Sequence, residues 1–436
     1  MSKPIHTVQV ERLSHECRGI GKIDEKTTFI RGALPGEEVN CQIVKKHRQY
    51  LDACTTDVIT AAPERTEPKC PHFLTCGGCS LQHILPEAQI SFKQNILLEQ
   101  LEHIGKTKPE TILDPITGPH YAYRHKARLG ARYVIKKEKM LVGFREVQGR
   151  YLADIDQCDI LHPSVGYKLR DLADLIMKLT IPREIPQIEV AIGDTETALI
   201  FRHLEALTDE DLAFITAFGK EHNFQIYLQP GKPKTIHKIF PNDGNERLHY
   251  ALPDFNLEFK FYPCDFTQVN PEINRKMVTR AIELLDVQKT DNVLDLFCGL
   301  GNFTLPIATK AKSVVGVEGS EEMVSRGKEN ALHNNINNAS FYAQDLSADA
   351  FDSAWFDQPY DKLLIDPPRS GAQEIICALA PLRIPLIVYI SCNPATLARD
   401  TEILTSQFGY KLKSAGILDM FPQTAHVESM AVFELV

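Results

Sequence analysis

The sequence predicts an α/β protein whose C-terminal part is a doubly wound, Rossmann-like sheet, preceded by a small β-barrel and a central α+β region. From about Asp291 onward, short apolar strands alternate with helical stretches, at Asn292–Leu296, Ser313–Val317, Lys362–Ile365 and Leu386–Ile390. That alternation reads as a mostly parallel sheet, with ligands at the carboxyl ends of its strands. The first strand runs into a Gly-x-Gly turn, Gly299-Leu300-Gly301. Upstream, residues to about Ile59 read as short strands and turns. Leu34-Pro35-Gly36-Glu37 has turn chemistry, and Val39–Val44 alternates as a strand.

A chain of 436 residues is too long for one ordinary core. The expected division is 1–62 for the barrel, 63–262 for the central domain and 263–436 for the doubly wound domain. The hydrophobic share of 43% and charged share of 24% are those of a soluble globular protein. Glu11, Arg12, Glu16 and Arg18 fall where an apolar leader would sit. The longest apolar stretches are strand-sized, too short to cross a bilayer. A cytoplasmic protein with no membrane partner is expected. Eleven cysteines in such a chain point to metal ligands, catalysis or burial, not to disulfides.

The net charge of −9 is unevenly spread. Asp286 to Val436 carries 11 Lys/Arg against 19 Asp/Glu, a net of −8. Gly118 to Arg150 carries 9 against 2, a net of +7. A basic surface beside an acidic domain suits a polyanion, although one basic cluster also reads as a solvated face. Lys45, Lys46, His47, Arg48 and Tyr50 give the barrel a basic, aromatic rim, as in oligonucleotide-binding barrels. The proline-rich stretch from Ala61 to Pro68 is a linker. Glu87 to Gly105 reads as a helix, with Ile90, Leu97, Leu98, Leu101 and Ile104 on one face. Beyond it, Tyr121, Tyr123, Arg124, His125, Lys126, Arg128 and Arg132 are candidates for phosphate and base contacts.

The run Val293 to Thr304 is a strand, a glycine turn and a helix start. The glycines let backbone approach a ligand. Glu318, at the end of the next strand, can accept hydrogen bonds from both ribose hydroxyls. A nicotinamide site would want a third glycine where Thr304 stands. Asp295 suits an ammonium group better than a phosphate. Together with Asp345 and Asp366, these departures favour S-adenosylmethionine. Asp366-Pro367-Pro368-Arg369 follows another strand, and its prolines stiffen the loop over the reaction site. Arg369 stands where amino-group methyltransferases place an aromatic ring, which disfavours amino methylation.

Cys392 ends a further strand at the same sheet edge, in Ser391-Cys392-Asn393-Pro394. Its bland reading is a buried thiol. Beside the Asp366 loop, it reads as a nucleophile that adds and leaves easily. Glu428 supplies a nearby carboxylate as the base. Cys70, Cys76 and Cys79 form C-x5-C-x2-C, and Cys158 is the leading fourth ligand. Four cysteines hold zinc or a [4Fe–4S] cluster, and spacing alone does not separate them. His72 and His83 are rival zinc ligands.

These residues together resemble the RNA uracil-5-methyltransferase family, over nearly the whole chain. The most specific matches are Asp295 to Phe303, Ser391 to Asp400 and the Cys70–Cys79 segment. The N-terminal piece is similar to a TRAM domain. The resemblance implies a methyltransferase domain and a [4Fe–4S] cluster on Cys70, Cys76, Cys79 and Cys158. It implies adenosylmethionine contacts from Gln268, Phe297, Asn302, Glu318, Asp345 and Asp366. It implies Cys392 as nucleophile toward carbon-6 of uracil, Glu428 as the base that removes the carbon-5 proton, and a helix from Glu87 to Gly105 packed on the catalytic domain. Family members acting on transfer RNA generally lack both barrel and cluster, so the implied partner is 23S ribosomal RNA, at U1939, for a monomeric enzyme. Another uridine, or a non-catalytic RNA-binding factor on the same fold, are the alternatives.

Overall fold

The structure is a computed structural model describing residues 4–147, 149–348, 354–356 and 358–436. Three sheets and one hairpin carry the chain. The N-terminal sheet runs in the order Ile5–Gln9, Glu38–Lys46, Tyr50–Thr60, Lys26–Arg31, Gly19–Ile23, Arg12–Leu13. Glu11 N donates to Ile20 O at 2.8 Å, and Val10 N to Glu37 O at 2.8 Å, so the first strand curls back over the far edge. Alternate residues Val39, Cys41, Leu51 and Ala53 turn inward around Ile30. The Leu-Pro-Gly-Glu turn is tied to the linker, because the buried Glu37 carboxylate accepts from Leu34 N, Ala62 N and Arg65.

The central sheet orders His237–Phe240, Phe224–Gln229, Thr197–Arg202, Gln187–Ile192, Lys126–Val134 and Lys139–Gly143. Helices Leu169–Lys178 and Asp209–His222 cover one face and bury Leu172, Ile176 and Ile215 against Leu129, Ile188 and Phe201.

The C-terminal sheet has eight strands, in the order Ala339–Ala343, Ser313–Glu318, Asn292–Leu296, Lys362–Ile365, Leu386–Ser391, Glu428–Leu435, Tyr410–Leu418, Thr111–Ile112. The first five pair in parallel. Glu428–Leu435 lies antiparallel to both its neighbours. The parallel strands are mainly apolar because both faces are covered. Val293, Leu364 and Val388 enter one core, and Leu294, Leu363 and Tyr389 enter the other. Strand order reverses beside Asn292–Leu296, which opens a crevice at the carboxyl ends.

The hairpin Leu248–Leu252/Leu257–Phe261 packs against this sheet. Tyr250, Phe259 and Phe261 share a core with Met277, Val293 and Phe303. The same core takes in Ala191, Ala198, Ile200 and Tyr227 of the central sheet, so the hairpin packs against both domains beside the expected boundary at 262. Among the described residues no helix is long and apolar enough to cross a membrane.

The helix at Pro86–His103 packs on the catalytic domain, with Leu97 and Leu101 in its core. Its buried stripe differs from the expected one. Gln89 and Lys93 extend it, while Ile104 falls past the helix end and is 41% exposed. Lys93 Nζ donates to Asp419 at 2.7 Å and to Phe421 O at 3.0 Å, with both charged side chains out of solvent. Removing one partner strands the other charge. Lys93→Met is therefore expected to lower stability by about 3–5 kcal/mol, and Lys93→Met/Asp419→Leu to recover most of it. Denaturant unfolding followed by the fluorescence of Trp355, the sole tryptophan and fully buried in this domain, checks both. A single-variant loss below about 1 kcal/mol would contradict a buried pair.

Candidate active site

At the crevice, Phe297, Gly299 and Gly301 take φ of 60°, 55° and 95°. Three left-handed residues in five fold the backbone tightly, and Phe297 does so without the freedom of glycine. A Cβ on Gly301 would also meet Leu305 and Phe341 at 3.3 Å. Glu318, half-buried at the end of its strand, accepts from Gly299 N and Ser320 N, each at 3.1 Å. Its carboxylate is thus held beside the turn.

Thr304, which displaces the third glycine, has a definite task. Its hydroxyl donates to Asp295 Oδ2 at 2.5 Å and aims the carboxylate. Asp295 is fully buried, and its Oδ1 has no partner among the described residues. A buried, unpaired carboxylate oxygen fits a cationic ligand atom. Burial pushes Asp295 up to about 8, opposed by Thr304 and reinforced by Asp366 and Glu318. Desolvation likewise pushes Asp366 up to about 7. Both are largely protonated at mildly acidic pH and must ionise to hold a cation. Adenosylmethionine affinity is therefore expected to rise with pH between 6 and 8, about tenfold per unit for each proton released. Calorimetry in buffers of different ionisation enthalpy checks it. Flat affinity with no proton release would contradict it.

The other expected cofactor residues lie around this turn in different states. Gln268 is half-buried just before Asn270, which caps the Pro271–Leu285 helix. Asn302 is already committed: it exchanges hydrogen bonds with Asn274 at 2.9 and 3.1 Å and accepts from Tyr250 at 2.9 Å. Asp345 is exposed, and its Oδ1 accepts from Ser347 N at 2.9 Å and Ser347 Oγ at 2.7 Å.

Ser391 pairs with Ser429 in an antiparallel ladder. Cys392 follows Ser391 and Glu428 precedes Ser429, so both sit at the same end of that ladder. Asn393 turns the chain there: its side chain caps Pro394–Gln407 through Ala395 N at 3.2 Å and donates to Arg369 O at 3.0 Å. The turn thereby joins the Cys392 strand to the Asp366 loop. Burial, then Glu428 and Asp366, push the Cys392 thiol up to about 11, while Arg369 pulls the other way. Glu428 is buried and is pushed well above the carboxylate range by burial and Asp366, again against Arg369.

A cleft of about 560 Å³ opens onto Cys392. It draws His15 and Glu16 from the barrel, Gly78 and Ser80 from the cysteine loop, Arg124 from the central domain, and Arg369 with His426 from the catalytic domain. Arg369 Nη2 and His426 Nδ1 lie 3.3 Å apart. The segment leading to Glu428 is braced from outside its own domain. Ser80 N and Leu81 N donate to Gln423 O at 2.9 and 3.0 Å, Gln89 bonds Gln423, and Tyr123 donates to Pro422 O at 2.9 Å. Sequence reasoning misses Ser80, Gln89 and Gln423 as supports. Partners more than 300 residues apart leave no local signal.

Cys70, Cys76, Cys79 and Cys158 line one enclosed cavity with Phe73, Phe144 and Ile155. Gly78 N donates to Cys76 Sγ at 3.4 Å, and the amides of Leu161 and Ile160 serve Cys158. His72 lines the same cavity but holds Asp156 at 2.6 Å. His83 is buried against Phe73, outside the lining. Among the described residues, no three His, Cys, Asp or Glu side chains form, as placed, a group that could hold a metal ion.

A doubly wound sheet, a glycine turn beside two acidic strand ends, and a cysteine near a glutamate at the same sheet edge define the class: an α/β methyltransferase. Residues 237–435 match the family model described as tRNA (Uracil-5-)-methyltransferase, and residues 5–54 match the TRAM domain. A protein of Alkalilimnicola ehrlichii named 23S rRNA (uracil(1939)-C(5))-methyltransferase RlmD is 50% identical, over 98% of this chain and 96% of its own. Its namesake from Hahella chejuensis is 51% identical, over 98% and 97%. The chain belongs to the RNA uracil-5-methyltransferase family.

Among solved structures, Pyrococcus abyssi tRNA (uracil-54, C5)-methyltransferase with S-adenosyl-L-homocysteine matches 98% of this chain and 99% of its own, at TM-score 0.75 and 22% identity. That likeness shows the fold, and it spans the barrel. The ribosomal reading rests on the relatives near 50% identity.

Proposed function

We propose that this enzyme transfers a methyl group from adenosylmethionine to carbon-5 of a uridine in 23S ribosomal RNA, the position numbered 1939 in its relatives' names. The observation that carries the reading is Cys392 lining the cleft just past the Ser391–Ser429 rung, with Glu428 and Asp366 near enough to act on its thiol. Carbon-5 of uracil is a poor nucleophile. Cys392 Sγ loses its proton to solvent water and adds to carbon-6, so the electron pair of the 5,6 double bond moves toward carbon-5 and the O4 carbonyl. Carbon-5 takes the methyl group of adenosylmethionine, whose methyl–sulfur bond breaks with its electron pair going to the sulfur of the departing S-adenosylhomocysteine. Glu428, ionised in that state, removes the carbon-5 proton. The double bond re-forms and the Cys392 thiolate leaves. Arg369, the cation beside both groups, favours their ionised forms. The base must leave its stack to reach the thiol.

Gln268, Phe297, Asn302, Glu318, Asp345 and Asp366 form the proposed adenosylmethionine site. The free Oδ1 of Asp295 supports it. Cys70, Cys76, Cys79 and Cys158 are proposed to hold a [4Fe–4S] cluster. Their shared cavity and the amide donors at two of the sulfurs support that fit. The cluster would supply a rigid cross-link, since the uracil chemistry has no redox step. Iron and acid-labile sulfide are expected at about four each per chain after anaerobic purification; zinc without iron would overturn the cluster. Mapping methylated nucleotides in 23S RNA treated with the enzyme tests the reaction. A single new 5-methyluridine at 1939 is expected. Methylation at another position would overturn the target, and no methylated uridine would overturn the function.

A further inference from the structure

A groove of about 670 Å³ opens on the central sheet, separate from the Cys392 cleft. Five exposed arginines border it: Arg128, Arg132, Arg145, Arg150 and Arg183. Strand alternation builds it. In Lys126–Val134, Ala127, Leu129 and Ala131 turn into the core, so Arg128, Gly130 and Arg132 share the outer face. Gly130 pairs with Gly143 across the ladder, which leaves the sheet hollow at that rung. Leu152 settles into the hollow: a Cβ on Gly130 would come within 2.7 Å of it.

Arg128 pairs with Glu189 at 3.1 Å. Among the described residues no carboxylate pairs with the other four. Arg183 lies 5.0 Å over the Tyr133 ring, and Arg150 lies 5.4 Å over Tyr151. Open guanidiniums on aromatic faces suit phosphates with unstacked bases between them. In a chain of net charge −9, this is where a polyanion would be held against the general field.

The cysteine loop joins the groove to the reaction cleft. Gly77 N donates to Arg145 O at 2.8 Å, Val147 N donates to Thr75 O at 3.1 Å, and Cys76 bridges Glu146. Gly77, Gly78 and Ser80 of the same loop line the cleft at Cys392.

We propose that the arginine groove is a second RNA site, which grips the phosphodiester backbone of the substrate at a stretch distant from the reacting uridine. The cysteine loop sets the spacing between the two sites. The proposal rests on the reading of the chain as an RNA methyltransferase.

The test compares the full chain with Arg150→Gln/Arg183→Gln. Affinity is measured across a salt series for a 23S RNA transcript and for a uridine-centred oligonucleotide of about five nucleotides, short enough to occupy the cleft alone. For the transcript, affinity is expected to fall about tenfold, and the slope against log salt by about 1.5. Oligonucleotide and adenosylmethionine affinities should stay at parent values, the latter reporting an intact fold. Arg150→Lys/Arg183→Lys should keep the slope. Parent-like transcript binding in the Gln variant would overturn the groove, as would an equal loss for the oligonucleotide. Methyl transfer by the parent chain separates the two readings. If the parent methylates and the slope is unchanged, only the groove fails; if the parent never methylates RNA, the functional reading fails.

Discussion

Cys392→Ala is expected to lower methyl transfer by about ten-thousand-fold or more while leaving the fold and adenosylmethionine binding in place. The cysteine sits half-buried at a strand end, and its neighbours act on it electrostatically. Its Cβ remains in alanine, so the turn at Asn393 and the cap on Pro394–Gln407 persist. What is lost is the atom that adds to carbon-6. Without that addition carbon-5 never becomes nucleophilic, however well the methyl donor is placed. Single-turnover methylation with radiolabelled adenosylmethionine checks the loss, and the cofactor-induced shift in Tm checks the fold. A variant retaining a tenth of parent activity would show that Cys392 is only a neighbour of the reaction.

Glu428→Gln is expected to behave differently. Addition and methyl transfer precede the step in which a base removes the carbon-5 proton. The variant should form a methylated covalent RNA complex and fail to release it, with turnover reduced by about a hundred- to ten-thousand-fold. A denaturing gel separates this outcome from that of Cys392→Ala, which forms no complex. The same substitution carries a stability signature. The Glu428 pKa is raised in the folded chain by burial and Asp366. Its contribution to stability is therefore present below the ordinary carboxylate pKa and is lost as pH rises toward the folded value. Glutamine does not titrate. The variant should match the parent near pH 5 and exceed it at pH 8. Thermal unfolding at the two pH values checks the sign, and a variant less stable than the parent at pH 8 would contradict it.

Much of this site can be read in the sequence because it is built at strand ends. Val293, Val315, Leu364 and Val388 mark strands through unbroken apolar runs, and the polar residues near the end of each run stand at the carboxyl edge by construction. The positions of Asp295, Glu318, Asp366 and Cys392 come from that rule. The partners that brace the site do not. Lys93 and Gln89 lie on a helix face that reads as polar, yet they are buried, because the loop from Asp419 to Gln423 offers a carboxylate, a carbonyl and an amide where apolar contact would fail. The Thr304 hydroxyl on Asp295 is likewise a tertiary fact: at the sequence level it is only a missing glycine. The Leu248–Phe261 hairpin carries no motif, and only the structure shows that it packs against Met277 and Val293 as well as Ile200 and Tyr227.

The role of Cys392 meets its most direct trial in RNA carrying 5-fluorouridine at the target position. Fluorine at carbon-5 cannot be removed as a proton, so addition and methylation should stop at a stable thioether. Protease digestion and mass spectrometry should then find the methylated, fluorinated nucleotide on the peptide that contains Cys392. A nucleotide attached through any other residue, or complete methyl transfer with no trapped complex, would contradict the covalent mechanism.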